Sequence, residues 1–305
     1  MFVILSSKKM DKPRKAYIYA GLAVLFWSTI PTAFKLGLRE MDILPMLTIA
    51  SLASATVLFI IVSAGKKIHL IKMSSPRELL NSAILGLINP FLYYLILLNA
   101  YRLLPAQVAQ PLNMIWPIIL VFLSVLVLGQ KIERKSFIAL IVSFTGVYII
   151  SSQGNLFKPG HANLTGVILA TGSSVLWAIY FILNVKDKRD EGVKLLLNFI
   201  FGSIYLIIVM IIRGKWQIET GFRGVATSIY VGIFEMGITF FFWLKALQMA
   251  STTAQVSNLV YLAPFLSLIF IHFFLHEPVY YTTPLGLILI ISGIFIQNMR
   301  SKIIV

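Results

Sequence analysis

Cysteine is absent from all 305 residues, so disulfides, thiol nucleophiles and thiolate metal sites are excluded. Charge is scarce as well: 12% of the residues are charged, only 11 are Asp or Glu, and there are four histidines. Hydrolytic chemistry that needs clustered carboxylates, a metal, or a nucleophile beside a base therefore lacks its parts, and no His-Glu-x-x-His or Asp-rich run occurs. No Gly-x-x-x-x-Gly-Lys-Ser/Thr loop is present to cradle a nucleotide's phosphates, which excludes that kind of motor. His272 and His276 stand four apart beside Glu277, but no further ligand cluster accompanies them, so neither a metal nor any other cofactor is expected.

What the chain has instead is apolar surface. Hydrophobic residues make up 58% of it, more than one water-facing core could cover, and they fall into ten long stretches. These lie at 17–38, 46–64, 79–101, 106–128, 136–151, 164–185, 193–212, 225–249, 254–275 and 283–299. As helices, such stretches suit a hydrocarbon core about 30 Å thick, where the backbone must satisfy itself. The expectation is an all-α integral membrane protein with ten transmembrane helices, so the lipid bilayer is its first partner.

A net charge of +15 would suggest nucleic acid in a water-soluble chain, but here the charge is sorted by loop. With the N-terminus inside, 18 of the 26 Lys and Arg fall in inner segments and six in outer ones, which places both termini in the cytoplasm and leaves nucleic-acid binding no role. A multi-pass protein of the cell membrane follows, with 1–15 and 300–305 as cytoplasmic tails.

The ten stretches are five written twice. Pro117, Leu128, Leu140, Ile141, Gly146 and Ile149 recur 147 positions later as Pro264, Leu275, Leu287, Ile288, Gly293 and Ile296. Gly86, Leu98 and Ala100 recur 146 later as Gly232, Leu244 and Ala246, and Trp27 recurs 150 later as Trp177. The copies span 16–151 and 164–299, joined by an outer linker at 152–163. An odd number of spans per copy forces the second to enter the membrane upside down relative to the first.

With Trp27 and Trp177 in the first helix of each copy, and apolar runs around Pro117 and Pro264, the chain resembles the EamA type of the drug/metabolite transporter superfamily. Leu128-Gly129-Gln130-Lys131-Ile132 and Leu275-His276-Glu277-Pro278-Val279 look like that family's Leu-Gly-Glu-x-Leu turn, with Gln130 and His276 as departures from it. The resemblance implies a carrier of small organic solutes, often an exporter of amino acids or other metabolites, with a central cavity between the copies.

Glu235 is the one carboxylate expected deep in a span, about ten residues or roughly 15 Å below the start of the eighth helix. An ion at that depth is costly, which suits a proton carrier or the counter-ion of a cationic substrate; the alternative is a protonated group that only bonds a neighbouring helix. Asn89 is its repeat mate at the 146 spacing. Helical spacing groups Gly232, Glu235 and Thr239 on one face, Asn89 and Tyr93 on another, Gln110 and Asn113 on the fourth helix, and Asn258 and Tyr261 on the ninth. Such polar stripes must face protein or water; inter-helix bonding without solute contact is the plainer role for each. Trp27 and Trp177 add aromatic faces for a flat or cationic solute, unless they serve only packing. Lys35 is expected to snorkel to the outer boundary, with a cavity cation for an acidic solute as the alternative.

A secondary transporter working by alternating access fits these features best. It would move a small organic metabolite, an amino acid or a cationic drug, in the direction of export, with proton coupling through Glu235. A membrane enzyme for lipid-linked substrates and a channel are the rivals, the first short of catalytic groups and the second needing rings of polar side chains. A second copy of the chain is a candidate partner in the bilayer.

Overall fold

The structure is a computed structural model that describes residues 12–116, 118–120, 122–123, 134–156, 162–214, 220–249 and 258–298. All regular structure among them is helical. The elements are α1 (Lys12–Glu40), α2 (Ile43–Ala64), α3 (Ile68–Lys72), α4 (Pro76–Gly86), α5 (Tyr93–Leu103), α6 (Ala106–Asn113), α7 (Arg134–Ser151), α8 (Leu164–Lys186), α9 (Glu191–Ile212), α10 (Phe222–Phe234), α11 (Ile238–Met249), α12 (Ala263–Phe270) and α13 (Thr282–Asn298). A π-helical turn, Leu87–Leu92, joins α4 to α5, and a second, Ile271–Leu275, follows α12.

Among the described residues, six helices are long and apolar enough to cross a membrane: Arg14–Glu40, Ile43–Ala64, Pro76–Leu103, Leu164–Asn184, Glu191–Ile212 and Phe222–Trp243. Shorter apolar helices occupy Phe137–Ser151, Leu259–Leu275 and Thr282–Ile296. The side chains are distributed as lipid demands. Phe59 and Ile60 on α2 and Ile211 and Ile212 on α9 are exposed, while Ser51, Ser54, Asn198 and Ser203 on the same helices are buried. In hydrocarbon, small and polar residues bring helices together, and the large apolar ones are left for the solvent chains.

The packing partners form a regular set. Helix α2 packs on α9 and α7 on α13; α4 packs on α9 as α10 does on α2; α5 packs on α8 as α1 does on α10 and α11; α6 packs on α8 as α1 does on α12. Glycines make the closest approaches. A Cβ on Gly86 of α4 would strike the Asn198 carbonyl of α9, and one on Gly232 of α10 would strike the Ala50 carbonyl of α2. The hydroxyls of Ser51 and Ser203 join α2 to α9 at 2.7 Å.

Two of the membrane-length helices are broken in mid-course. Between α4 and α5 the break is at Asn89, whose φ of −143° and ψ of 120° are extended. Pro90 causes it, because proline lacks an N–H and excludes helical geometry from the residue before it. Between α10 and α11 the chain turns through Glu235, Met236 and Gly237, with Glu235 as the last residue bonded into α10 through Val231. The uninterrupted eighth helix expected from hydropathy is therefore two helices, with glycine, a poor helix former, at the junction.

Candidate functional site

Both breaks carry a polar side chain in the middle of an apolar run, and they stand at the repeat-matched positions Asn89 and Glu235. Each reaches across to the other copy. The Tyr94 hydroxyl of α5 donates to Glu235 Oε1 at 3.1 Å, and it is the hydrogen-bond partner of that carboxylate among the described residues. Asn89 is fully buried beside the Tyr180 hydroxyl of α8, which also accepts from Asn198 Nδ2 at 3.3 Å. The Asn89 Oδ1 has no partner in hydrogen-bond geometry. Asn89 and Glu235 do not bond each other, and the neighbouring helix that Glu235 bonds is α5, through Tyr94.

Next to Glu235 lies a polar chain and an aromatic wall. Tyr93 donates to Asn113 Oδ1 at 3.2 Å, and Asn113 Nδ2 donates to Ser173 Oγ at 2.8 Å, linking α5, α6 and α8. The Tyr93 ring lies 5.0 Å from that of Trp177. Phe240 of α11 stands between the two repeat-matched tryptophans, 5.8 Å from Trp27 and 6.0 Å from Trp177. Glu235, Asn113, Trp27, Trp177 and Phe240 all keep part of their surface open, whereas Tyr93 and Tyr94 are buried. One partly exposed carboxylate thus lies one tyrosine away from an aromatic cluster, and its partner among the described residues is a hydroxyl rather than a cation.

The remaining expected residues are placed differently. Thr239 is fully buried and donates to the Phe234 carbonyl across the helix break, so its hydroxyl is used within its own chain segment. Gln110 accepts from Ser267 and ties α6 to α12. Tyr261 packs edge-on against Phe295 of α13 at 5.6 Å. The Asn258 side chain, Pro117, and the segment 128–132 with Gln130 lie outside the described residues.

Lys35 neither snorkels nor faces the aromatic space. Its Nζ donates to the carbonyls of Tyr101 and Leu104, both at 2.8 Å, capping the C-terminus of α5 where the helix dipole favours a cation. Around it a clasp closes this end of the bundle. Glu277 accepts from the Ala106 N–H at 3.0 Å, a carboxylate at the N-terminus of α6. Gln107, fully buried, donates to the Pro278 carbonyl and accepts from the Tyr280 N–H at 3.0 Å and from Thr283 at 3.1 Å. Burial pushes the Glu277 carboxyl above its ordinary range, and nearby Lys35 only partly opposes this.

A second network holds the opposite end. Arg189 and Asp187, with side chains only 9% and 5% exposed, pair at 2.5 Å, and Arg189 also donates to Ser82 of α4 at 2.8 Å. Burial acts to raise the Asp187 carboxyl, but Arg189 outweighs it and holds the group below its ordinary range. Lys194, 2% exposed, donates to the carbonyls of Asn184 and Asp187 at 3.0 Å, capping α8 as Lys35 caps α5. Sequence reading missed Phe240, Tyr94, Gln107 and this pair of caps. A signal for Gln107 exists: Ala106-Gln107-Val108 recurs as Ala254-Gln255-Val256.

Comparison with known proteins gives a consistent set. The profile of the EamA-like transporter family matches twice, at residues 14–152 and 164–299. An "Uncharacterized transporter YvbV" of Bacillus subtilis is 27% identical over 304 residues, 97% of this chain and 95% of its own. An "Uncharacterized transporter" of Archaeoglobus fulgidus is 28% identical over 293 residues, 94% of this chain and 98% of its own. A "Probable terminal-alkyne amino-acid exporter" of Streptantibioticus cattleyicolor is 25% identical over 302 residues, 95% of each chain. A crystal structure covering 94% of this chain and 97% of its own superposes with a TM-score of 0.65 at 17% identity, which shows a common fold.

Proposed function

We propose, from the premise that the chain belongs to the EamA-like transporter family, that it is a secondary transporter exporting a small organic amine or amino acid through alternating access of two inverted five-helix copies. The observation that carries this is the pair of broken helices with Asn89 and Glu235 at repeat-matched positions. Interrupted helices free backbone groups in the middle of the bilayer, where irregular chain is tolerated only around a cavity or binding site. Helix pairings that repeat between the halves support the inverted arrangement of ten spans, with both termini in the cytoplasm of a cell-membrane protein.

The site chemistry narrows the solute. Glu235 has a tyrosine hydroxyl for company, so a positive charge must come from outside, either a proton or an ammonium group of the solute. Trp27, Phe240 and Trp177 offer faces to a cation or to a flat apolar body. The amino-acid exporter among the relatives agrees with an amine-bearing cargo. The two ends serve as gates: the Glu277 and Gln107 clasp closes the outer end, and the Arg189–Asp187 pair holds the inner end.

Proteoliposomes loaded with labelled amino acids or aromatic amines and given a pH gradient test this. The wild type should accumulate its solute against concentration, and Glu235→Gln should retain its thermal stability but lose gradient-driven accumulation. Undiminished pH-driven accumulation by Glu235→Gln would refute coupling at this residue.

A further inference from the structure

The outer halves of α1 and α10 part to leave a groove that the transport site does not use. Its lower chamber, about 390 Å³, lies between Thr32 of α1, Tyr230 of α10, and Phe270 and Phe274 beyond them. A second chamber of about 430 Å³ continues it past Leu36, Ala226 and Thr227 to a rim made by Arg39, Glu40 and Arg223. Each volume is in the range of small-molecule sites. From Thr32 to Arg39 is seven residues of helix, roughly 10 Å, so the groove runs from the helix end down into the depth of the hydrocarbon. It opens sideways, with Phe274 60% exposed.

The rim and the chamber each lack a partner. Arg102, Arg189 and Lys67 are paired with Asp42, Asp187 and Asp190, whereas the guanidinium groups of Arg39 and Arg223 make no hydrogen bond or ion pair among the described residues. In the chamber, Tyr230 is paired with Thr29 at 2.6 Å, but the Thr32 hydroxyl, on a residue only 6% exposed, has no hydrogen-bond partner among the described residues. At this depth the walls can be covered by hydrocarbon but not stably by water. Two guanidiniums without an ion-pair partner above an apolar slot match a phosphate above an acyl chain, and Glu40 on the same rim matches an ammonium.

We propose that this groove binds one phosphatidylethanolamine molecule. Its phosphate lies on Arg39 and Arg223, its ammonium at Glu40, one acyl chain in the lower chamber, and the Thr32 hydroxyl donates to an ester oxygen. The proposal needs the chain to span a bilayer but not the transport mechanism at Glu235, so the two fail separately.

Native mass spectrometry of the full-length protein, released from detergent with increasing phosphatidylethanolamine, tests it. One lipid should be retained well above the background of further adducts. Arg39→Gln combined with Arg223→Gln should weaken that first binding roughly tenfold or more, the loss expected for hydrogen bonds to a charged group. Arg102→Gln, which removes a paired arginine, should leave it unchanged. Ala226→Trp fills the groove between the chambers without touching a charge and should abolish the retained lipid, which keeps the test decisive if the arginine variant folds poorly. Diacylglycerol, which has tails and no phosphate, and inorganic phosphate should each bind far more weakly. Retention of the lipid by Ala226→Trp, or diacylglycerol binding as tightly as phosphatidylethanolamine, would overturn the proposal.

Discussion

Adding one methyl group at Gly86 or at Gly232 should destabilise the protein by similar amounts. An added Cβ at either position meets backbone: the Asn198 carbonyl and, at 2.9 Å, the Gly202 nitrogen for Gly86; the Ala50 carbonyl and its carbon, the latter at 3.0 Å, for Gly232. Backbone in a packed helix cannot rotate out of the way as a side-chain tip can, so α4 must move off α9, and α10 off α2. Overpacking costs about 1–3 kcal/mol, and a clash with backbone that cannot rotate away falls in the upper part of that range, about 2–3 kcal/mol. Alanine's better helix propensity returns up to about 1 kcal/mol, leaving a net loss of roughly 1–2 kcal/mol at each site. For a chain of this size that is a fall in Tm of roughly 2–8 °C. Gly21 and Gly172 supply the control, because a Cβ at either meets nothing within 4 Å, and Gly21→Ala and Gly172→Ala should be neutral or slightly stabilising. Unfolding followed by tryptophan fluorescence in detergent reads all four variants. A loss at Gly232 with none at Gly86, or no loss at either, would refute the claim that the two glycines do the same work in equivalent interfaces.

Glu277→Gln tests the clasp through its pH dependence. Burial raises the folded-state pKa of Glu277 above 4.5, so the wild type is favoured at low pH and loses that contribution as pH rises through the raised value. The Tm difference, Glu277→Gln minus wild type, should therefore increase with pH above about 4.5 and flatten below it; a constant difference would contradict the burial of that carboxyl. Arg189→Ala leaves Asp187 buried without its partner and should cost roughly 3 kcal/mol, the low end for a buried pair because this one lies at the edge of the bundle. Adding Asp187→Asn should recover part of the loss, and an uncorrected or deeper loss in the double variant would show that the pair is not what holds that end. Phe240→Ala should weaken binding of aromatic amines by thermal shift or transport competition far more than that of small aliphatic ones; equal loss for both would assign Phe240 to packing alone.

Long apolar runs were legible in the sequence because hydropathy acts over a whole helix. The runs at 164–185 and 193–212 match α8 (Leu164–Lys186) and α9 (Glu191–Ile212) within a few residues. The breaks were less legible, since periodicity assumes an unbroken helix and one proline or glycine among twenty apolar residues barely alters it. Pro90 and Gly237, at nearly matching places in the two copies, were the available clue. Glu235 and Asn89 stood out by polarity alone, and Trp27 and Trp177 by repetition. Phe240 could not, being one of 22 phenylalanines. Lys35 and Lys194 read as boundary charges because capping of a distant helix depends on which helix ends meet, and that is a tertiary fact.

Opposed insertion of the two copies can be measured directly because the chain has no cysteine of its own. Single cysteines placed at Ser7, Asn155 and Ser301, in the first tail, the linker and the last tail, are to be labelled in intact cells with a membrane-impermeant maleimide. The expected result is labelling of Asn155→Cys from outside, with Ser7→Cys and Ser301→Cys reacting only after the membrane is opened. Labelling of the linker and both tails from the same side would mean an even number of spans in each copy, and the inverted arrangement around Glu235 would be wrong.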